Sequence, residues 1–162
     1  MNYTIKTIAI LALVATVLTS CKKENTTSTP APTPTGNFTF KVDGTAVTVD
    51  SARAVLYTLG VSPFNREIDV YGFKAGQQVI EMHFHPTAGT YPAGKNFDGV
   101  WMTYDEGLDF YDSESGSLVL TTCDTVSNKI EGTFHFTGKN FSGTATRNIT
   151  EGSLMVTKLS RQ

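Results

Sequence analysis

Three groups of residues carry side chains that could do chemistry. The first is Glu81-Met82-His83-Phe84-His85. On a strand alternate side chains share a face, so His83 and His85 project together with Glu81 beside them, while Met82 and Phe84 project the other way. Two imidazoles at i and i+2 with one further donor can hold zinc. The chain has three histidines, and the third, His135, falls on the polar side of the alternating run from Lys129 to Thr137. If those two strands are neighbours, His83, His85 and His135 form a zinc site. If they are not, the histidines belong to a solvated sheet face whose buried side is Ile80, Met82 and Phe84.

The second group is the acidic segment from Asp105 to Glu114. Calcium takes six to eight oxygen donors, and clustered carboxylates in a loop supply them. Asp105, Asp109, Asp112 and Glu114 are the donors expected of such a site, although their spacing is not that of an EF-hand loop. The other reading is a turn-rich connection kept soluble by charge. The third group is aromatic: Trp101, Tyr104, Phe110 and Tyr111 surround the acidic segment, and sugars stack on exposed aromatic faces of β domains. Alternation sets Val100, Met102 and Tyr104 opposite Trp101 and Thr103, and the expectation for Trp101 is burial under a second layer.

Catalytic signatures are lacking. No Gly-x-Ser-x-Gly elbow and no glycine-rich phosphate loop is present, and no local motif selects a working pair among the carboxylates. A binding or structural module is therefore expected, with a metal-assisted hydrolase or a calcium-dependent glycan-binding module as the alternative. No cofactor is expected unless zinc or calcium binds as above.

These groups must be positioned by strands. From Asn37 the chain is a succession of short runs of alternating polarity, broken by Gly, Pro, Asn and Asp and rich in β-branched and aromatic residues. Phe38 to Val42 and Thr45 to Val49 flank Asp43-Gly44, a strong hairpin signal. Further runs are Ala52 to Leu59, Glu67 to Lys74, Gln77 to His85, Val100 to Tyr104, Leu108 to Tyr111, Ser117 to Cys123, Lys129 to Thr137, Ser142 to Ile149 and Ser153 to Leu159. The pattern predicts an all-β domain over residues 37–162, an antiparallel β-sandwich with a β-barrel as the alternative.

Upstream the chain has a different character. The apolar run from Ile8 to Leu18 is too short to span a bilayer, which needs roughly twenty residues, but suits the centre of a secretory signal. It ends in Leu18-Thr19-Ser20-Cys21, the order of a lipoprotein signal, so residues 1–20 are read as the signal and Cys21 as the acylated first residue of the mature chain. Two or more acyl chains give stable anchoring where one is marginal. Residues 21–36 hold a Thr/Pro-rich stretch with no large apolar side chain, which reads as an extended tether.

From Asn37 onward ten basic residues face fourteen acidic ones, a balance that argues against nucleic acid as a partner. With Cys21 acylated, Cys123 has no partner for a disulfide and is expected to be a small buried hydrophobe. The expected address is the cell envelope, at the outer membrane. The expected partners are the bilayer through Cys21 and an envelope protein or glycan.

Several motifs resemble one another's counterparts in a known group. Phe38-Thr39-Phe40-Lys41-Val42-Asp43-Gly44, Gly89-Thr90-Tyr91-Pro92-Ala93-Gly94, Ile130 to Phe136 and Ile149-Thr150-Glu151-Gly152-Ser153 are similar to the pattern of small Bacteroidota lipoproteins, whose signals often end in Cys-Lys-Lys. That resemblance supplies no activity and no catalytic residue. It implies O-glycosylation at Ser51 in Asp50-Ser51-Ala52 and at Thr125 in Asp124-Thr125-Val126. Surface display in that group goes with acidic residues soon after the cysteine, where this chain has only Glu24.

Overall fold

Period-two alternation decides which face each strand buries. The computed structural model describes residues 38–58, 66–94 and 100–162; the expected signal, Cys21 and the tether lie outside them. The described residues are all β, with no helix among them. The strands are β1 (Thr39–Val42), β2 (Thr45–Thr48), β3 (Ser51–Thr58), β4 (Arg66–Lys74), β5 (Gln77–Phe84), β6 (Gly89–Ala93), β7 (Trp101–Glu106), β8 (Asp109–Asp124), β9 (Lys129–Asn140), β10 (Thr146–Val156) and β11 (Leu159–Arg161). They join one sheet in the order β11-β3-β4-β5-β7-β8-β9-β10-β1-β2, with β6 paired to β8 off this path. Only β11, laid along β3, runs parallel to its neighbour.

The Asp43-Gly44 hairpin forms as read. Both residues have positive φ, 47° and 83°, as the twist-matched two-residue turn requires, and Val42 pairs with Thr45. The inward residues of the strands make one core, in which Phe40, Ile68, Ile80, Met82, Phe84, Met102, Leu118, Phe136, Ile149 and Leu154 are fully buried. Aromatic rings knit its centre: Phe38 meets Phe134 edge-on at 5.8 Å, and Phe40 meets Tyr104 at 6.0 Å. Such contacts add stability beyond the area they bury.

Two pairs of expected strands are single long strands. Leu108 to Tyr111 and Ser117 to Cys123 merge into β8, which continues through Ser113 and Ser115 by a bulge. Its first part pairs with β7 and its second with β6, while β9 follows it throughout. The strand thus bends where the sequence reads as a turn, because bulges absorb an extra residue and increase local twist. In the same way the expected runs Ser142 to Ile149 and Ser153 to Leu159 are joined in β10, which spans Thr146–Val156 with a bulge between Ile149 and Gly152, while Leu159 opens β11. The strand β6, from the Gly89 to Gly94 motif, is additional to the alternating runs; among the described strands it has β8 as its ladder partner, so the N–H that Pro92 lacks is tolerated.

Candidate functional site

The outward residues of β4, β5, β7 and the start of β8 fall into rows across the sheet. Tyr71 opposes Glu81, which opposes Thr103, which opposes Asp112; in the next row Asp69 opposes His83, which opposes Trp101. The inward residues of these strands, Ile68, Val70, Ile80, Met82 and Met102, are wholly buried. Strand alternation therefore sends the polar set to the other side.

His83 is the centre of this face. Its Nδ1 lies 2.7 Å from Asp69 Oδ1 and 4.0 Å from Glu67 Oε1, and its Nε2 lies 3.0 Å from Glu81 Oε1. The buried Nε2 thus faces the Glu81 carboxylate at ion-pair distance. One face of the imidazole stacks on Trp101, with ring centres 4.8 Å apart and planes 15° from parallel. Around it, Tyr71 Oη donates to Asp69 Oδ2 at 3.1 Å, and Gln78 Nε2 donates to Glu81 Oε2 at 3.0 Å and to Asp105 Oδ2 at 2.9 Å. Thr103 Oγ1 donates to Asp112 Oδ1 at 2.9 Å.

The electrostatics follow from the geometry. Burial works to lower the pKa of His83, but hydrogen bonds to Asp69 and Glu81 and the charges of both outweigh it and carry it to about 9. The imidazole is thus a cation at neutral pH. Burial, reinforced by the adjacent Asp69 charge, pushes the Tyr71 phenol up. Burial also raises the Asp105 carboxyl; its hydrogen bond from Gln78 opposes this, and the charges of Glu81 and Asp112 add to it.

No known protein family, characterised protein or solved structure matches this chain. The chemistry of the site therefore rests on its own residues.

The expected zinc set is not brought together. His83 and Glu81 are neighbours as expected, and His85 follows on the same side, its Nδ1 3.5 Å from Arg66 O. His135 is elsewhere: it sits on β9 opposite Ser117 of β8, and β7 and β8 lie between β5 and β9. Three ladder steps of about 4.8 Å, roughly 14 Å, are too many for a shared ion with bonds near 2 Å. His135 instead lines a shallow depression with Val119, Thr133, Glu151 and Ser153.

The expected calcium set is likewise divided. Its segment is a hairpin, and alternation places Asp105 and Asp112 outward on β7 and β8, Asp109 beside the turn opposite Glu106, and Glu114 within the β8 bulge. Among the described residues these four carboxylates do not converge. The one group there with ligand atoms close enough to share an ion is Glu67, Asp69 and His83.

Trp101 corrects another expectation. It is 40% exposed, and among the described residues its ring contact is with His83. Phe110, opposite Asp105 on the same face, is 54% exposed. Tyr104 and Tyr111 pack inward together instead, with ring centres 6.1 Å apart.

Cys123 is a free, half-buried thiol packed against the core, and burial raises its pKa, which keeps it in the unreactive form. Ser51 is exposed at the start of β3, and Thr125 is half-buried in the β8–β9 turn, where its carbonyl accepts from Arg161.

Sequence reasoning missed Glu67, Asp69 and Tyr71. Their alternation within β4 marks them as outward, but nothing local says which strand they face.

Proposed function

We propose that the chain is a lipid-anchored module of the cell envelope, held at the outer membrane by acylated Cys21 and its Thr/Pro tether, whose β domain binds a glycan on the outer face around Trp101. The observation that carries this reading is the exposure of the chain's single tryptophan at 40% amid hydrogen-bonding side chains. Trp101 and Phe110 stand at the two ends of a strip whose middle is Thr103, Glu81, Gln78, Asp105 and Asp112. The strip spans four residues of strand, about 14 Å. Aromatic faces at the ends accept the apolar faces of sugar rings, and carboxylates and an amide between them suit hydroxyl groups. The acidic balance selects uncharged or amine-bearing glycans and works against phosphorylated or sulfated ones.

For the architecture we favour an open barrel over a two-sheet sandwich. In its support, the ten strands of the main path lie on one continuous ladder. Backbone bonds from Val49 N to Phe38 O and Asp50 N to Phe73 O also draw the β2 end of that ladder toward β3 and β4.

The test is a glycan panel read by Trp101 emission and by thermal melting of the full chain in a non-ionic detergent. A neutral or amine-bearing glycan that shifts both signals in the wild type and neither in Trp101→Ala supports the reading. A flat panel, or a Trp101→Ala chain that binds as well as the wild type, overturns it. For the anchor, Cys21→Ser should move the protein from the membrane fraction to the soluble one; its staying in the membrane would refute acylation at Cys21.

A further inference from the structure

Around His83 the sheet concentrates more negative charge than it neutralises. Glu67, Asp69 and Glu81 all lie within 4.0 Å of one imidazole ring. Among the ion pairs of the described residues, His83 is the only cation that these three carboxylates meet. With the imidazole protonated, the group still carries a net charge of −2. Two of the three carboxylates are also largely out of bulk water, the Asp69 and Glu81 side chains being 11% and 23% exposed. Weak solvation leaves such a surplus uncompensated.

We propose that Nδ1 of His83, with one carboxylate oxygen each from Asp69 and Glu67, forms a binding site for a divalent transition ion of the zinc class, which displaces the Nδ1 proton to solvent as it binds. The three donor atoms lie within 4.8 Å of one another. Nδ1 is 2.7 Å from the Asp69 donor and 4.0 Å from the Glu67 donor. Donors sharing one ion at about 2.0–2.1 Å stand roughly 3 Å apart, so one donor has to close by about 1 Å. The side chain that must move is Glu67, the most exposed of the three at 37%. An imidazole with two carboxylates suits zinc-class ions, whereas calcium prefers oxygen donors alone.

The supporting groups have the arrangement that metal-bound imidazoles require. The distal Nε2 faces the Glu81 carboxylate, which in turn accepts from Gln78, so the ring is held with Nδ1 toward the carboxylate pair. Tyr71 donates to the second oxygen of Asp69 and leaves Oδ1 for the ion. Trp101 covers one face of the ring and fixes its plane. Three protein donors leave the remaining coordination positions for water or a ligand. The three donors lie outside the glycan strip, on β4 and β5; Trp101, Glu81 and Gln78 belong to the strip and support the ring from beside it.

The full chain, solubilised in a non-ionic detergent and stripped with chelator, is titrated with Zn2+ and separately with Co2+. The expected results are one ion retained per chain after desalting and a change in Trp101 emission that saturates at one equivalent. Asp69→Asn and Glu67→Gln should lose the retained ion. Glu81→Gln should weaken binding by about 10–100-fold, and His85→Gln and His135→Gln should bind as the wild type does. Glu67 is partly exposed and outside the core, so Glu67→Gln remains informative if Asp69→Asn fails to fold. No retention by the wild type would mean that the cluster is a histidinium–carboxylate network only. Retention undiminished in both Asp69→Asn and Glu67→Gln would place the ion elsewhere. Either result overturns the proposal.

Discussion

The imidazole of His83 lies flat on the indole of Trp101, 4.8 Å from centre to centre, while both ring nitrogens face carboxylates. The one tryptophan of the chain therefore reports on the protonation of the one imidazole at the centre of the outer face. Protonated imidazole quenches indole emission. In the chelator-treated chain, Trp101 emission should rise as pH passes through about 9, and His83→Gln should abolish that step. A step near pH 6.5 in the wild type would contradict the arrangement.

The same protonation contributes to stability. The His83 pKa is raised in the folded chain, so its contribution is complete below about 6.5, the ordinary value, and is lost as pH climbs through about 9. The full effect is about 3 kcal/mol as an upper value. Urea midpoints of the metal-free chain should fall between pH 7 and 9.5, and those of His83→Gln should fall much less.

Asp105 has the opposite sign. Its carboxyl is raised, chiefly by burial, and Oδ1 has no hydrogen-bond partner. A folded-state pKa above the unfolded one means that ionisation destabilises the fold. Asp105→Asn removes the charge and retains an acceptor for Gln78. It should raise the melting temperature by a few degrees at pH 7, about 1 kcal/mol. The gain should vanish as pH falls below the ordinary carboxyl range, where both states are protonated. Thermal melts at pH 7 and pH 3 check both parts.

Gly152 lies against the ring of Phe134. A Cβ at that position would sit 2.6 Å from three ring carbons, and Phe134 is locked among Phe38 and Phe40. Gly152→Ala should cost about 1–3 kcal/mol. Adding Phe134→Leu should cost less in the Gly152→Ala background than alone, because the smaller side chain relieves the overlap. Additive melting shifts would refute the contact.

Cys123 should react slowly with an alkylating reagent in the native chain and fully in urea, since burial holds its thiol protonated. The number of thiols in urea also reports on the anchor. A chain acylated at Cys21 should give one thiol, and a chain bearing a free Cys21 should give two.

The all-β class and most strand positions were legible because alternation is a local property, visible wherever a strand has one wet face. The pairing of His83 with Asp69 was not, and the reason lies in one residue. The Ala75-Gly76 turn sets Lys74 opposite Gln77. Counting back from it without interruption brings Met82 opposite Asp69, on the wrong face. A bulge beside Gly72 and Phe73 shifts the register, so that Asp69 meets His83. Gly72 lies where a Cβ would fall 2.7 Å from Ile80 Cγ2, a packing demand made by the folded core and silent in the local sequence. The same holds for the acidic segment. Its composition reads as a loop, but the bulge in β8 and continuous pairing with β9 keep it extended, which scatters the carboxylates that a loop would have gathered.

The order of strands in the sheet also sets a schedule. Lys41 of β1 meets Glu151 across 110 residues of chain, and Ser160 of β11 bonds to Ala54 of β3 across 106. Sheets built from such distant pairings form slowly. While translation is under way, β1 and β3 each lack one ladder neighbour until β10 and β11 have been added. The backbone edges of β1 and β3 that those late strands cover stay open until then, and an open edge is where another chain can pair.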